Sequence, residues 1–298
     1  MSAKTVIIIL GPTASGKTAL SLAVARHFKT SIISADSRQC FRELNIGVAK
    51  PTPQELREIK HEFINSHSIH EEVNASIFEE LSLQWAGEIF ATRDVLVMVG
   101  GTGLYIKAFC EGMDPVPPAD EQLRMEIRKK YRENGLEWLQ REIGSADPEF
   151  QQSGEIRNPQ RIMRALEVKK STGRSILSFR NLPRKPRPFR IVRFGLQVPK
   201  DILYQRINER VDLMMKSGLT DEVRSLLPFQ HLNALQTVGY TELFDYLNGN
   251  QDLAEAVSKI KQHTRNYAKR QMTWFRKDPS IRWIEKEPLK EVLDQWET

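Results

Sequence analysis

Apolar and polar positions fall into alternating blocks along the first hundred residues of this chain. Thr5-Val-Ile-Ile-Ile-Leu10 is an unbroken β-branched apolar run, Ser31-Ile-Ile-Ser34 is a shorter one that leads to Asp36, and Asp94-Val-Leu-Val-Met-Val99 is a third. Such runs, without polar alternation, predict parallel strands buried on both faces. Helical periodicity lies between them, at Ala19–Arg26, 53–60 and 76–91. Strand alternating with helix predicts a doubly wound α/β core.

The pattern then changes. Asp114-Pro-Val-Pro-Pro118 and Pro183-Arg-Lys-Pro-Arg-Pro188 read as stiff linkers, and the stretches between them, such as Glu121–Asn134 and Pro159–Ser171, read only as helix. Arg190–Val198 returns to a strand pattern, and the last hundred residues read as helical. This predicts a core spanning residues 1–113, a helical insertion over 114–188, and completion of the core with basic helices over 189–298.

Gly11-Pro-Thr-Ala-Ser-Gly-Lys-Thr18 follows the first strand and opens the first helix. This is the phosphate-cradling pattern G-x-x-x-x-G-K-[ST]. Its glycines let consecutive N–H groups turn onto one anion, Lys17 adds a full charge, and Thr18 offers a hydroxyl to Mg²⁺. A strand before and a helix after are the context the motif requires, with the anion on a helix N-terminus. The fold expected is therefore α/β, a P-loop NTPase-like parallel sheet core with an all-helical insertion domain and a helical C-terminal region.

Two more loops leave the carboxyl ends of predicted strands, where α/β sheets bind ligands. In Ser34-Ala-Asp-Ser-Arg-Gln39, Asp36 can hold Mg²⁺, accept a proton from a nucleophile, or cap a helix, and position alone does not choose. Gly100-Gly-Thr-Gly-Leu-Tyr105 brings backbone close to a ligand or is simply a tight turn. No acid follows Met98-Val99, although an ATPase of the common type needs one at the end of a core strand. That argues against ATP hydrolysis. His61, His67 and His70 read as a polar loop rather than a metal site.

Two cysteines, Cys40 and Cys110, make neither a disulfide framework nor a zinc site. No apolar run is long enough for a bilayer and the chain begins almost at a strand, so a cytoplasmic location without membrane attachment is expected. No obligate protein partner is evident. The net charge of +6 is not evenly spread: from Arg157 to Arg193 the sole acid is Glu167. A solvated face would mix its signs, so this stretch favours phosphate-backbone contact. Lys261, Arg265 and Lys269 recur at helical spacing as a cationic ridge, opposite an apolar stripe through Ile260, Ala268 and Phe275. Arg206 and Arg210 either face an anion at the sheet edge or lie on a plain surface helix.

Taken in order, these motifs resemble the bacterial tRNA dimethylallyltransferases, also called tRNA isopentenyltransferases. The matching segments are Gly11–Thr18, Ser34–Gln39, Ile46–Pro51, Gly100–Tyr105, Arg157–Glu167, Val238–Tyr240 and Thr264–Arg276, which together run over nearly the whole chain. The resemblance implies transfer of a dimethylallyl group from dimethylallyl diphosphate to N6 of adenosine 37 in the anticodon loop of tRNA, with release of diphosphate and with Mg²⁺ as cofactor. Carried onto this chain, it implies Asp36 as general base, with Thr13 and Arg206 beside the reacting diphosphate. Gly11, Pro12, Thr13, Ala14, Ser15, Gly16, Lys17 and Thr18 would bind the diphosphate, with Thr18 on the metal. The tRNA would meet Asp36, Ser37, Arg38 and Gln39, then Thr102 and Arg124, then Gln160, Arg161, Ile162, Met163 and Arg164. The last group comprises Gln236, Thr237, Val238, Gly239, Tyr240 and Thr241. Val48 and Phe41 depart from the family's usual Thr and Tyr, so hydroxyl contacts at those positions are not expected. A small-molecule kinase, an RNA-binding ATPase and a free-adenylate isopentenyltransferase are the rival readings. The first accounts for the P-loop and Asp36 but leaves the basic insertion unexplained.

Overall fold

Every residue of β1 (Thr5–Leu10) is buried, as an uninterrupted apolar run requires of a central parallel strand. In the computed structural model, which describes residues 4–118, 120–180 and 185–296, it is joined by β2 (Ile32–Ala35), β3 (His61–Glu62), β4 (Val95–Gly100), β5 (Arg190–Leu196) and β6 (Ile281–Ile284). All pairings are parallel and the strand order is β3-β2-β4-β1-β5-β6. Ile7 stands between Val97 and Val192 in register.

The helices, in chain order, are α1 (Lys17–Phe28), α2 (Pro53–Glu58), α3 (Ala75–Phe90), α4 (Gly103–Glu111), α5 (Glu121–Ala146), α6 (Pro148–Gln152), α7 (Pro159–Thr172), α8 (Lys200–Lys216), α9 (Leu219–Ser225), α10 (Tyr240–Leu247), α11 (Leu253–Phe275) and α12 (Pro288–Gln295). The chain divides into two compact units, Met1–Gly112 with Pro186–Thr298, and Met113–Lys185.

In the first unit Leu22 and Val24 of α1 pack on Ile7, Ile9, Val97 and Phe194. Fully burying side chains of this size contributes about 1.5–3 kcal/mol each. The C-terminal region is not purely helical, because β6 adds a sixth strand beside β5. Arg187 stitches the point where the chain rejoins this unit. Its Nε donates to the Phe109 carbonyl at 2.7 Å, and its Nη2 donates to the Ala108 carbonyl and to Glu79, both at 2.9 Å. Of the predicted linker 183–188, Pro183 and Arg184 lie outside the described residues.

The second unit has its own core, with Ile127, Leu139 and Ile143 of α5 against Phe150, Ile162 and Leu166. The helical pattern predicted to stop at Asn134 runs on to Ala146, but Gly135 at φ 73 breaks the helical geometry between the two parts. Only glycine takes that conformation without strain. Asn158 caps α7 by accepting from the Gln160 and Arg161 amides, and Pro159 occupies the first turn, where its missing N–H is harmless.

Candidate active site

The chain leaves β1 at Leu10 and loops over the carboxyl edge of the sheet before α1 begins at Lys17. Gly16 adopts φ 94 at the start of the helix. The Lys17 ammonium donates to the Pro12 carbonyl at 2.6 Å. Burial, and then the nearby Arg210, push its pKa down to about 7. The Ser15 hydroxyl is buried and makes no hydrogen bond within the described residues. The loop thus holds unsatisfied polar capacity, the signature of a cradle for an anion.

Asp36 ends β2. Its Oδ1 accepts from the Arg38 amide at 2.9 Å and the Gln39 amide at 3.2 Å. The residues that follow form a turn rather than a helix, so Asp36 closes an Asx-type turn instead of capping a helix, and these two bonds fix its carboxylate in place. The next three residues are tied down. The Ser37 amide donates to Thr102 Oγ1 at 3.1 Å. The Arg38 guanidinium donates to the carbonyls of Asn233 and Ala234 at 3.0 and 3.2 Å. Gln39 Nε2 donates to the Val48 and Ala49 carbonyls at 3.2 and 3.1 Å. In the third loop, a Cβ on Gly100 would lie 2.2 Å from the Ala35 carbonyl, and one on Gly101 would lie 2.1 Å from Gln271 Nε2. The loop can pass between its neighbours only as glycine.

Gln271 is the residue that the sequence did not single out for the site. Almost fully buried on α11, it accepts from the Thr13 amide at 2.9 Å and donates to the Gly101 carbonyl at 2.9 Å, so one carboxamide joins the first loop to the third. A polar residue beside Ala268 and Phe275 on the apolar side of α11 is the only signal that could have marked it. Arg210 also rises in importance. It donates from Nη1 to Thr13 Oγ1 at 3.3 Å, while Arg206, one turn earlier on α8, is exposed and lines neither of the cavities described next.

Two cavities meet at this edge. One, of about 330 Å³, is lined by the Gly16–Thr18 turn and by Ser15. The other, of about 580 Å³, is lined by Gln236, Thr237, Val238, Gly239 and Thr241 together with Thr264 and Arg270 of α11. Thr13, Asp36, Val48, Ala49, Arg210 and Tyr267 line both. A group bound on the phosphate loop and a group bound in the outer cavity would therefore face each other across Asp36 and Thr13. Burial pushes the Tyr267 hydroxyl up to about 12, so it stays a neutral donor. Thr18 and Asp36 both line the smaller cavity with oxygen ligands. A hard cation shared with phosphate oxygens fits such a donor set.

Several residues named from the sequence have other occupations. Tyr240 is fully buried and donates to Glu222 at 2.6 Å. Glu222 also accepts from the Asn45, Ile46 and Gly47 amides, so this pair braces the 45–47 turn. Ile162 and Met163 are buried in the core of the helical unit, which leaves Gln160 and Arg161 exposed. Arg161 pairs with Glu155 at 2.7 Å. Arg164 and Arg124 flank the buried Glu167 at 3.3 and 3.7 Å, and Arg164 also donates to the Pro117 carbonyl at 2.7 Å. The expected ridge on α11 is largely consumed by α8: Lys261 pairs with Asp212 at 2.6 Å and Arg265 donates to Asn208 at 2.7 Å. Among the described residues no group of three or more His, Cys, Asp or Glu side chains could hold a metal. His61 Nδ1 bonds the Ile59 carbonyl instead.

The family model for IPP transferase matches residues 39–278. The tRNA dimethylallyltransferase of Christiangramia forsetii is 47% identical over 293 residues, covering 98% of this chain and 97% of its own. The crystal structure of the full-length tRNA isopentenylpyrophosphate transferase from Bacillus halodurans matches at a TM-score of 0.71 and 34% identity, over 98% of this chain and 94% of that one. A eukaryotic dimethylallyltransferase acting on tRNA shares the fold at a TM-score of 0.77, with 24% identity over 99% of this chain and 76% of that one.

Proposed function

We propose a reaction for this chain from one premise, that it belongs to the IPP transferase family: it transfers a dimethylallyl group from dimethylallyl diphosphate to N6 of adenosine 37 in tRNA. The observation that carries the mechanism is the wall common to the two cavities, where Asp36, Thr13 and Arg210 stand together. The diphosphate lies on the Gly11–Thr18 loop, with Lys17 against its oxygens. The adenine reaches the outer cavity after leaving its stack, a step that an anticodon loop permits more cheaply than a duplex.

The adenine N6 then forms a bond to C1 of the dimethylallyl group as the C1–O bond breaks and its electron pair leaves with the diphosphate. The Asp36 carboxylate, held in place by its two backbone hydrogen bonds, takes the proton from N6. Lys17 and Arg210 stabilise the charge that grows on the departing oxygen, Arg210 from beside Thr13. Thr18 would hold Mg²⁺, which would supply further positive charge to the leaving diphosphate and leave the Asp36 carboxylate free to act as base.

The helical unit is read as the tRNA-contacting domain over 114–188, and Gln160 and Arg161 are its exposed members of the Gln160–Arg164 run. Segment 236–241 supports the acceptor side, with Tyr240 acting as a brace from within. Among the described residues no helix is long and apolar enough to cross a membrane.

The test is direct. The protein is incubated with tRNA, Mg²⁺ and dimethylallyl diphosphate, the RNA is digested, and its nucleosides are weighed. An adenosine heavier by one dimethylallyl group in place of hydrogen is expected. Unmodified tRNA, together with phosphate transfer from ATP to a small acceptor, would establish the kinase reading instead.

A further inference from the structure

A third cavity, of about 650 Å³, opens at the carboxyl ends of β5 and β6 and touches the phosphate loop at Pro12. It lies on a different side of α11 from the acceptor cavity, for it is lined by Ala268, Lys269 and Met272 where the other is lined by Thr264, Tyr267 and Arg270. The proposed reaction makes no use of it. Its floor is aliphatic, formed by Val198, Leu203, Ala268 and Met272. Among the described residues, Lys200, Lys269, Arg276 and Lys286 bring four exposed cations to its lining. The single carboxylate there, Glu285, already accepts from Gln197 Nε2 at 2.6 Å. The α8 N-terminus opens beside Lys200 without a side-chain cap.

We propose that this cavity binds a phosphorylated isoprenoid with a chain longer than the five-carbon donor. Converging cations over an aliphatic floor suit a phosphate joined to a branched hydrocarbon. The volume is about twice the 330 Å³ of the phosphate-loop cavity, which leaves room for the longer chain. A nucleotide suits it less. Tyr204, the one aromatic ring on the lining, has Lys200 at 5.5 Å and Arg265 at 5.9 Å from its centroid, so cations already occupy the ring. Gln197, which could read the edge of a base, is engaged by Glu285. Longer isoprenoid phosphates are made by elongating five-carbon diphosphates. An occupant of this cavity would press on Pro12, whose carbonyl holds Lys17. It would thereby let the demand of elongation for the donor act on the donor site. That effector role rests on the proposed reaction, whereas the binding does not.

Full-length protein, with its donor site filled by Mg²⁺ and the unreactive analogue dimethylallyl S-thiolodiphosphate, is titrated calorimetrically with geranyl monophosphate and, separately, with AMP. Geranyl monophosphate is expected to bind one-to-one with Kd below about 0.1 mM. The double variant Lys200→Glu/Lys286→Glu should weaken it by about tenfold or more, and Met272→Trp, which fills the floor, should abolish it. Both variants should retain prenyl transfer, which shows that they fold. Absence of binding, binding that neither variant alters, or AMP binding as tightly as geranyl monophosphate would each overturn the proposal. So would a charge-reversal variant that loses tRNA affinity while geranyl monophosphate fails to bind the parent, since the cations would then be an RNA contact.

Discussion

Gln271 reaches Thr13 across 258 residues of sequence, and its carboxamide accepts the Thr13 amide at 2.9 Å while donating to Gly101 at the same distance. Replacing it by Leu leaves the part-buried Thr13 amide and the buried Gly101 carbonyl unpaired, the latter at a cost of about 1–3 kcal/mol. Gln271→Glu keeps the acceptor for Thr13 but sets a second oxygen against the Gly101 carbonyl. Both variants should unfold at lower temperature and show a raised KM for dimethylallyl diphosphate, as measured by thermal denaturation and steady-state kinetics. An unchanged KM would show that the bridge does not position the phosphate loop.

Asp36 closes a turn and is the proposed base, and one substitution separates the two roles. Asp36→Asn retains the oxygen that accepts from Arg38 and Gln39. It should leave the melting temperature and tRNA affinity close to those of the parent and lower turnover by about 10²–10⁴. Single-turnover kinetics with bound tRNA measures the difference, and near-normal turnover removes the residue from the role of base.

The two arginines of α8 should behave unequally. Arg210 touches Thr13 and Arg206 is exposed away from both cavities. Arg210→Ala should reduce kcat by about 10²–10³, whereas Arg206→Ala should stay within about a factor of two. The reverse order would move the diphosphate toward Arg206.

Lys17 gives a proton signal. Its pKa lies at about 7 in the folded protein against the ordinary lysine value of 10.5, and a diphosphate beside it favours the charged form and raises it again. At about pH 8 donor binding should therefore take up protons, and at about pH 6, where Lys17 is already charged, the uptake should vanish. Calorimetry in buffers of different ionisation enthalpy reads this directly, and Lys17→Met should remove it. In the absence of donor the unfolded chain binds the extra proton between about pH 7 and 10.5, so this group makes the fold more stable as pH rises through that window.

Arg161 and Arg164 are neighbours in sequence with different surroundings. Arg161 is exposed, and Arg161→Ala should reduce the salt dependence of tRNA binding by about one unit of slope. Arg164 holds Glu167 and the Pro117 carbonyl. Arg164→Ala should instead destabilise the helical unit by about 1–3 kcal/mol. Filter binding at several salt concentrations, paired with thermal melts, separates the two outcomes.

The contrast between those arginines shows what a sequence makes legible. The strands and the phosphate loop can be read because local patterning alone dictates them: β1 is apolar at every position, and the loop's identity lies in eight consecutive residues. What cannot be read is set by distant partners. Lys261 and Arg265 have the spacing of a free ridge, but Asp212 and Asn208 on α8 claim them. Tyr240 sits in a motif that resembles a tRNA contact, yet its hydroxyl is spent on Glu222. β3 spans two residues and exists only by pairing with Ile32 and Ile33, too little for any periodicity to reveal.

Arg187 clasps the last carbonyls of α4 where the polypeptide returns from its excursion, and all its partners lie in the sheet-bearing unit. The stem of the excursion is thus buttoned shut by the platform itself. Loosening or melting of the helical unit would leave this closure standing, because none of its three bonds draws on that unit.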